Sequence, residues 1–370
     1  MFRIWLSLTQ SVLDNLKKNY MADESTEEPQ DDIEARRANG EFVRRASVFR
    51  GKISGGSVFL PELNRYHLYV ALNCPWCHRV LIARNILGLQ KSISVDVAFP
   101  NRTNVDSPYG PDNWEFAPDR VASSTGATLP ECTMETATGK SLRIARQIYE
   151  AEGATGSSLP ILFDKSSQTI VSNESADILR MLNDQAGALG STIAADERVD
   201  LYPSEERNPG LRVEIDRLNQ IIYANINNGA YKAGFSVNQQ VYEIAFKEYF
   251  STLQDLEEEM AIDGRPFLTG VNLTEADVRL FPTLFRHDPV YFLRMKLNGA
   301  RMLDFPNLWR WICRVYGIPG VSESCSLIHC LQGYFGRSWN NVVPLGPIHP
   351  MHYPEAYRHP ELANAAMRAH

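Results

Sequence analysis

The heptapeptide Asn73-Cys74-Pro75-Trp76-Cys77-His78-Arg79 separates two apolar segments of different character. Residues 66–72 have the length and aromatic content of a buried strand, and residues 80–88 have the pattern of a helix that ends at a glycine. Cys74 is therefore predicted at a strand-to-helix turn, with Pro75 in the first helical turn, where its missing N–H costs nothing. The helix dipole and the unpaired backbone N–H groups of such a turn favour a thiolate. We expect Cys74 to be a reactive cysteine.

The pairing of Cys74 with Cys77 as Cys-x-x-Cys has three possible meanings: thiol redox chemistry, a zinc site, or simple packing. A zinc site needs a second pair of ligands at short spacing, and the chain contains no second Cys-x-x-Cys. The strand–turn–helix context favours redox chemistry, so we predict no metal.

Composition limits the function classes. The chain has 370 residues, enough for two domains, with 44% hydrophobic and 22% charged residues. Its net charge of −7 disfavours a general role on nucleic acid or on an anionic membrane. No apolar run approaches the roughly 20 residues of a membrane helix. The six cysteines are scattered, which is typical of a reducing compartment.

The N-terminal residues carry two weak signals. Residues 1–8 are mildly apolar and give only a weak signal for an organelle address. Because the signal is weak, we expect a cytoplasmic protein, with mitochondrion as the alternative. Residues 22–32 are acidic and nearly free of large apolar groups. We therefore predict a partly disordered extension over residues 1–49.

The first half of the folded body alternates strands and helices. After the first strand and helix, the pattern predicts a strand at 92–99, a long loop at 100–120 that holds Trp114, and a helix at 141–151. It then predicts a strand at 159–164, its hairpin partner at 169–171 and a helix that opens at 172–179. Asn173 and Ser175 are good capping types for that last helix, and Glu174 complements its dipole. The order β-α-β-α-β-β-α predicts a thioredoxin-like domain over residues 50–190.

The second half predicts helices only. Apolar residues recur at spacings of three and four near residues 211–226, 241–260 and 308–315. Thr274 and Asp277 form a capping-box pattern ahead of another apolar run. We predict an all-helical domain over residues 196–335 and an irregular tail over residues 336–370. The fold class is thus α/β followed by all-α, as a thioredoxin-like domain with a helical bundle.

This outline is similar to that of soluble glutathione transferases. Several motifs resemble more narrowly the glutathionyl-hydroquinone reductases, the xi-class glutathione transferases. The motifs are the 66–79 segment with Cys-Pro-Trp, the Trp114 loop, and the segments 169–175, 227–235, 273–281 and 319–321. Cys-Pro-Trp is shared with omega-class relatives, whereas the 227–235 and 273–281 segments are more specific. The resemblance runs from about residue 40 to residue 350.

The resemblance implies a glutathione-dependent reaction in quinone detoxification. The Cys74 thiolate would attack the sulfur of a glutathionyl-hydroquinone, release the hydroquinone and leave a Cys74–glutathione mixed disulfide. A second glutathione would then release glutathione disulfide. The resemblance further implies glutathione as co-substrate, quinone-derived small molecules as partners, and a homodimer without nucleic-acid or membrane partners.

The resemblance also assigns roles to single residues. Glutathione would contact Trp114, the backbone of Leu159 beside a cis Pro160, Glu174 through its γ-glutamyl amine and Ser175 through its carboxylate. Tyr231 and Tyr334 would act on the aromatic acceptor, and Tyr291 would be a third contact with the substrate. Each has a structural alternative: Trp114 can pack the loop, Glu174 and Ser175 can be capping residues, the tyrosines can be core or interface aromatics, and His78 can serve structure rather than act as a base.

Three departures from the family pattern stand out. Cys77 replaces a residue that is commonly alanine, and it is either a small buried residue or a second thiol that resolves a mixed disulfide. The segment Thr155-Gly156-Ser157-Ser158-Leu159 lacks the arginine that many relatives carry before the proline. Tyr334-Phe335 stands where the family has a pair of tyrosines.

Two other functions stay open from the sequence. The chain can be a dithiol oxidoreductase that reduces disulfides or removes glutathione from proteins through Cys74 and Cys77. It can also be a non-enzymatic docking module, because this fold is reused for binding alone. The cysteine and tyrosine motifs argue against the docking role.

Overall fold

The computed structural model describes residues 40–44, 46–336 and 341–349. The predicted organelle address at residues 1–8 and the acidic segment at 22–32 lie outside the described residues, as does most of the predicted tail. Residues 341–349 form neither a helix nor a strand. The domain boundaries at residues 49, 190, 196 and 335 stay predictions.

A four-stranded sheet forms the centre of the first half. Its strands are β1 (Tyr66–Val70), β2 (Ser94–Val97), β3 (Ile161–Asp164) and β4 (Thr169–Ser172). The spatial order is β2-β1-β3-β4, in which β1 pairs with β2 in parallel and with β3 antiparallel, and β4 closes a hairpin with β3. All five residues of β1 are buried, which explains its continuous apolar sequence.

Three helices complete this half, and they confirm the predicted order of elements. They are α1 (Pro75–Ile86), α2 (Ala145–Ala151) and α3 (Ser175–Gln185). The prediction that α2 begins at residue 141 was wrong by four residues. Ser141 has a left-handed backbone with φ of 51°, and Ile144 is extended and forms a β-bridge with Glu115. Neither conformation continues a helix.

The second half is helical, as predicted. Its main helices are α4 (Leu211–Ile221), α5 (Asn228–Phe235), α6 (Gln239–Asp263), α7 (Glu275–Phe285), α8 (Pro306–Tyr316) and α9 (Leu327–Phe335). Two π-helical segments, Ile222–Asn227 and His287–Tyr291, interrupt this pattern. The predicted capping box at the start of α7 is present, since the Thr274 N–H donates to the Asp277 carboxylate at 2.9 Å. None of the helices within the described ranges is long and apolar enough to cross a membrane.

A buried arginine joins the two halves next to the Cys74 turn. Arg286 is fully buried, and its guanidinium donates to the carbonyl oxygens of Leu72 at 2.8 Å and Asn73 at 3.0 Å. A third bond, at 2.8 Å, reaches the carbonyl of Pro282 in α7. These bonds fix the strand-to-helix turn against the helical half, because a buried guanidinium must keep its acceptors.

Candidate active site

Cys74 occupies the N-cap of α1, with Pro75 as the first helical residue. Cys74 has an extended backbone and is 9% exposed, and its Sγ atom lies 3.7 Å from the carbonyl oxygen of Leu159. The sequence prediction of a strand-to-helix turn is therefore confirmed. The thiol faces the unpaired N–H groups of the first helical turn, where negative charge is favoured.

These surroundings change the acidity of the Cys74 thiol. Burial acts to raise its pKa, but hydrogen bonds from the thiol and the backbone N–H of Cys77 act to lower it. The charge of Arg44 and the N–H of Trp76 add to the lowering, and the resulting pKa is about 6. Cys74 is therefore mostly a thiolate at neutral pH, which is the form that acts as a nucleophile.

Cys77 lies one helical turn after Cys74 and is completely buried. Its Sγ atom accepts a hydrogen bond from the Ala71 N–H at 3.4 Å. Burial, and then the neighbouring Cys74, raise the pKa of Cys77 well above the ordinary value of a cysteine. A protonated and buried Cys77 is suited to donate a hydrogen bond to the Cys74 thiolate rather than to attack a disulfide.

His78 is placed where it cannot easily serve as a base. It is 1% exposed, with Nδ1 at 3.0 Å from the Arg286 guanidinium and Nε2 at 3.1 Å from the Ser324 hydroxyl. Burial and the Arg286 charge lower the pKa of His78 well below its ordinary value. Its ring links α1 to the helical half, so its place in the structure favours the structural role over the base role.

Leu159 and Pro160 lie directly opposite Cys74, and the peptide bond between them is cis. The preceding segment, which lacks an arginine, is held by neutral groups. The Tyr149 hydroxyl donates to the Ser158 carbonyl at 2.9 Å, and the Asn173 side-chain amide donates to the Ser158 hydroxyl at 3.2 Å. This network fixes the backbone that faces Cys74 without supplying a cation.

Glu174, rather than Asn173 or Ser175, caps α3. Its carboxylate accepts from the Ala176 N–H at 3.1 Å and from the Ser47 hydroxyl at 2.9 Å. The sequence indicated Asn173 and Ser175 as good capping types and also left Glu174 open as a cap, and the structure uses Glu174. The Asn173 side chain instead accepts from the Phe49 N–H at 3.0 Å, and Ser175 is the first residue of the helix, 3% exposed.

Trp114 is 6% exposed in the long loop, and its carbonyl oxygen accepts from the Ala145 N–H at 2.9 Å, at the start of α2. The guanidinium of Arg102 lies 4.7 Å from the centre of its ring. The tryptophan therefore has a fixed place beside the sheet. Its predicted contact with glutathione stays a prediction.

Three tyrosine hydroxyls, from residues far apart in the sequence, meet in one cluster. The Tyr334 hydroxyl lies 2.6 Å from that of Tyr231 and 3.4 Å from that of Tyr291. Tyr231 and Tyr334 are partly buried, and Tyr291 is completely buried. Burial raises the pKa of all three, and the Cys74 charge adds to this effect on Tyr231. The hydroxyls therefore stay protonated at neutral pH and can donate hydrogen bonds near the thiolate.

The two π-helical segments position this cluster. Ile222–Asn227 leads into α5, which carries Tyr231 in its first turn, and His287–Tyr291 ends on Tyr291 itself. The wider π turn rotates the following side chains relative to a regular helix, and such turns are frequent at functional sites. No pattern in the amino-acid sequence had indicated either segment.

The sequence analysis missed residues 42 and 44 as parts of this region. The Phe42 ring lies 6.1 Å from the Tyr231 ring, and the Arg44 guanidinium lies 4.1 Å from the Trp76 ring. The sequence pattern places both residues in the predicted N-terminal extension. The signal that could have found them is the return of aromatic and basic residues in the stretch Gly40-Glu41-Phe42-Val43-Arg44.

The arrangement combines a thiolate, a fixed backbone opposite it and protonated phenols beside it. A thiolate at a helix start can attack sulfur, and the phenols can donate a proton or orient an aromatic ring. In the part of the chain that the structure describes, no three His, Cys, Asp or Glu residues are grouped in a way that could hold a metal ion. The low pKa of the Cys74 thiol supports thiol exchange as the chemistry of this site.

Comparison with known protein families agrees with this architecture. Residues 73–185 match the family described as "Glutathione S-transferase, N-terminal domain", and residues 239–314 match "Glutathione S-transferase, C-terminal domain". The first match begins at the Cys74 turn and ends with α3. The second covers α6 to α8 of the helical half.

Individual relatives are more informative. The chain is 38% identical over 327 residues to the glutathionyl-hydroquinone reductase PcpF of Sphingobium chlorophenolicum, covering 85% of this chain and 92% of the relative. The crystal structure of the glutathione transferase Xi from Phanerochaete chrysosporium matches with a TM-score of 0.73 and 35% identity, over 85% of this chain and 95% of that one. The glutathione-bound structure of YqjG, a glutathione transferase homologue from Escherichia coli K-12, matches with a TM-score of 0.70 and 36% identity, over 82% and 94% of the chains.

Proposed function

The chain belongs to the glutathionyl-hydroquinone reductases, the xi class of glutathione transferases, and on that premise we propose that it reduces glutathionyl-hydroquinones to hydroquinones with glutathione. The observation that carries the proposal is the thiolate of Cys74 beside a cluster of protonated tyrosines. A disulfide reductase needs the first feature only. An aromatic substrate that must gain a proton needs both.

In the first step, the Cys74 thiolate attacks the sulfur atom of the conjugate. A sulfur–sulfur bond forms, and the bond between sulfur and the aromatic carbon breaks. The carbon keeps the electron pair of that bond and takes up a proton, which gives the free hydroquinone. The protein is left with a mixed disulfide between Cys74 and glutathione.

In the second step, the thiolate of another glutathione attacks the mixed disulfide. Glutathione disulfide leaves, and Cys74 returns as a thiolate. The thioether sulfur of the conjugate and the thiol of the one added glutathione are oxidised to the disulfide, and their two electrons reduce the aromatic carbon, so the reaction needs no further reductant. A Cys74 pKa of about 6 helps both steps, because a weakly basic thiolate is also a good leaving group.

The tyrosines would serve the aromatic side of this reaction. Raised pKa values keep their hydroxyls protonated, so they can donate to the hydroquinone oxygens and deliver the proton to the carbon. Tyr231 and Tyr334 are the partly exposed members and would contact the substrate. Buried Tyr291 would hold the Tyr334 hydroxyl in place through their 3.4 Å contact.

Glutathione would lie between Cys74 and the edge of the sheet. The backbone groups of Leu159, beside Pro160, would pair with its cysteinyl amide. Glu174 would bind its amine and Ser175, at the start of α3, its carboxylate. Trp114 would cover the tripeptide from the loop. The Glu174 carboxylate already accepts one bond on each oxygen, and each oxygen keeps capacity for another.

A comparison of three proteins tests the proposed function. The wild type, Cys74→Ala and Cys77→Ser are assayed with a glutathionyl-menadiol conjugate and with a small glutathione mixed disulfide. We expect the wild type and Cys77→Ser to reduce both compounds and Cys74→Ala to reduce neither. Loss of turnover in Cys77→Ser would favour the dithiol oxidoreductase instead, and absence of turnover and of glutathione binding in the wild type would favour the docking role.

We propose in addition a cytoplasmic homodimer with glutathione and quinone-derived small molecules as its partners. Light scattering on the full chain tests the oligomeric state, with a mass of twice 41.8 kDa as the expected result. A mass of 41.8 kDa at all concentrations would contradict it.

A further inference from the structure

The residues that precede β1 run across the site. We name residues 40–44 and 46–51 the crossing segment. At one end, Glu41 pairs with Lys232 of α5 at 3.6 Å, and the Phe42 ring lies 5.7 Å from the Phe235 ring. At the other end, the Gly51 N–H donates to the Val171 carbonyl of β4 at 2.8 Å. The segment therefore contacts both halves of the fold.

Between these ends, the crossing segment passes the start of α1. The Arg44 guanidinium lies 4.1 Å from the centre of the Trp76 ring, two residues after Cys74. Further on, the Ser47 hydroxyl donates to Glu174 at 2.9 Å. Arg44 thus lies between the tyrosine side of the site, which Phe42 contacts, and the predicted glutathione side at Glu174.

Arg44 is a cation without a counter-charge in contact. Within the described ranges the structure gives it no ion pair, whereas Arg50 of the same segment binds Asp177 through two hydrogen bonds. Its charge acts on two groups of the site, lowering the pKa of the Cys74 thiol and of the Tyr231 hydroxyl. Stacking on the indole holds the planar guanidinium in place while its N–H groups remain able to donate.

A second observation points to an acceptor at the same place. The indole Nε1–H of Trp76 is buried and has no hydrogen-bond partner among the described residues. Arg79, which also stacks on this ring at 4.5 Å, is 2% exposed, and its Nη2 donates to Asn227 and to the Arg279 carbonyl. A buried donor without an acceptor is unfavourable, so a ligand oxygen that approaches this ring is stabilised.

We propose that Arg44 recognises a negatively charged oxygen on the aromatic acceptor, so that the preferred substrates are hydroquinone conjugates that carry a ring carboxylate or an acidic, ionised hydroxyl. This inference rests on the proposed function, which supplies the aromatic acceptor. Arg44 is a specificity-determining residue in this account and takes no part in the covalent steps. A bidentate guanidinium–carboxylate contact provides both the charge and the orientation.

Binding of a matched pair of ligands tests the inference without any turnover. The probes are 2,5-dihydroxybenzoate and its neutral methyl ester, titrated calorimetrically into the glutathione-saturated full chain. We expect the acid to bind at least about ten-fold more tightly than the ester, as one charge-assisted bidentate contact allows. Nitrohydroquinone, which has an acidic hydroxyl, distinguishes recognition of a phenolate from recognition of a carboxylate.

Three variants complete the test. Arg44→Met removes the cation and should abolish the preference for the acid, whereas Arg44→Lys keeps a charge and should retain part of it. Arg50→Met is the matched control in the same segment and should leave the preference unchanged. In turnover, Arg44→Met should raise KM for the acidic conjugate about ten-fold relative to a neutral conjugate, whereas its effect on kcat through the Cys74 pKa should be the same for both conjugates.

Several binding results would contradict the role of Arg44 in recognising an anionic oxygen. Equal binding of acid and ester to the wild type, no binding of the acid, or an undiminished preference in Arg44→Met would overturn the inference. Equal loss of both ligands in Arg44→Met would also overturn it, since that result indicates a purely structural role. If the binding preference depends on Arg44 but no conjugate is turned over, the proposed function fails, and of the inference only the recognition of an anionic aromatic ligand by Arg44 stands.

Discussion

The hydroxyl groups of Tyr231 and Tyr334 lie 2.6 Å apart, although the residues are 103 positions apart in the sequence. Tyr231 belongs to α5 and Tyr334 to the last turns of α9, so the contact requires the whole helical half to be assembled. One hydroxyl donates to the other, which leaves a proton of the pair available to a substrate beside the Cys74 thiolate. The proposed proton transfer to carbon depends on this pair.

Replacement of Tyr231 by phenylalanine tests that dependence. We expect Tyr231→Phe to lower kcat for a glutathionyl-hydroquinone by about 100-fold, which is the lower end for loss of a general acid. Reduction of a small mixed disulfide, which needs no proton on carbon, should change little. Tyr242→Phe is the control, because its hydroxyl donates to the Lys296 carbonyl on the exposed side of α6. Equal loss with both kinds of substrate would contradict the assignment.

The pKa of Cys74 tests the proposed role of Cys77 as a hydrogen-bond donor. If the Cys77 thiol donates to the Cys74 thiolate, Cys77→Ala should raise the pKa of Cys74 by about one unit, because a charged hydrogen bond contributes about 1.5–3 kcal/mol and one pKa unit corresponds to about 1.4 kcal/mol. The measurement is the rate of alkylation by iodoacetamide as a function of pH.

The sign of this effect follows from the thiolate being the reactive form. In the wild type the alkylation rate should rise as pH increases through about 6, the pKa of Cys74. In Cys77→Ala the same rise should occur at higher pH, so that the two rates differ most between about pH 6 and pH 7 and converge in alkaline solution. Cys132→Ala, which removes another buried thiol, should leave the profile unchanged. An unshifted profile in Cys77→Ala would refute the hydrogen-bond role.

Gly333 allows α9 to approach the Cys74 turn. A Cβ atom at Gly333 would lie 2.1 Å from the side-chain nitrogen of Asn73 and 2.6 Å from its Cγ atom. The Asn73 nitrogen donates to the Pro100 carbonyl at 3.2 Å, so it cannot move away freely. We expect Gly333→Ala to lower the free energy of unfolding by about 1–3 kcal/mol, as overpacking in a core does.

Because Tyr334 follows Gly333 directly, the same substitution should also reduce kcat. Chemical denaturation and steady-state kinetics measure the two effects. Gly317→Ala is the control, since a Cβ there would meet its nearest atom at an ordinary 3.4 Å. A Gly333→Ala protein with unchanged stability and turnover would show that the close approach has no role in placing Tyr334.

The position of Cys74 could be predicted from sequence because its determinants are local. A buried apolar strand, a proline and a helical stripe within 25 residues define the turn, and the thiol chemistry follows from helix geometry. The same holds for the Thr274–Asp277 capping box. The meeting of Tyr231 with Tyr334 has no local signal, and only the family resemblance placed them together.

Two features escaped the sequence for identifiable reasons. The choice among the candidate caps Asn173, Glu174 and Ser175 could not be made from sequence, because it depends on Asn173 accepting from the Phe49 N–H, a contact across 124 residues. The crossing segment follows an acidic stretch that predicts disorder, and its order depends on contacts with α5 and β4 rather than on its own propensity. Both cases show long-range contacts overriding a locally reasonable assignment.

The central claim is that Cys74 takes glutathione from the aromatic conjugate. The direct measurement is a single turnover of the full chain with a glutathionyl-hydroquinone and no free glutathione, followed by peptide mass spectrometry. The account predicts one glutathione disulfide-linked to the Cys74 peptide and one equivalent of free hydroquinone, both absent in Cys74→Ala. Glutathione on another cysteine, or hydroquinone released without any adduct on Cys74, would contradict it.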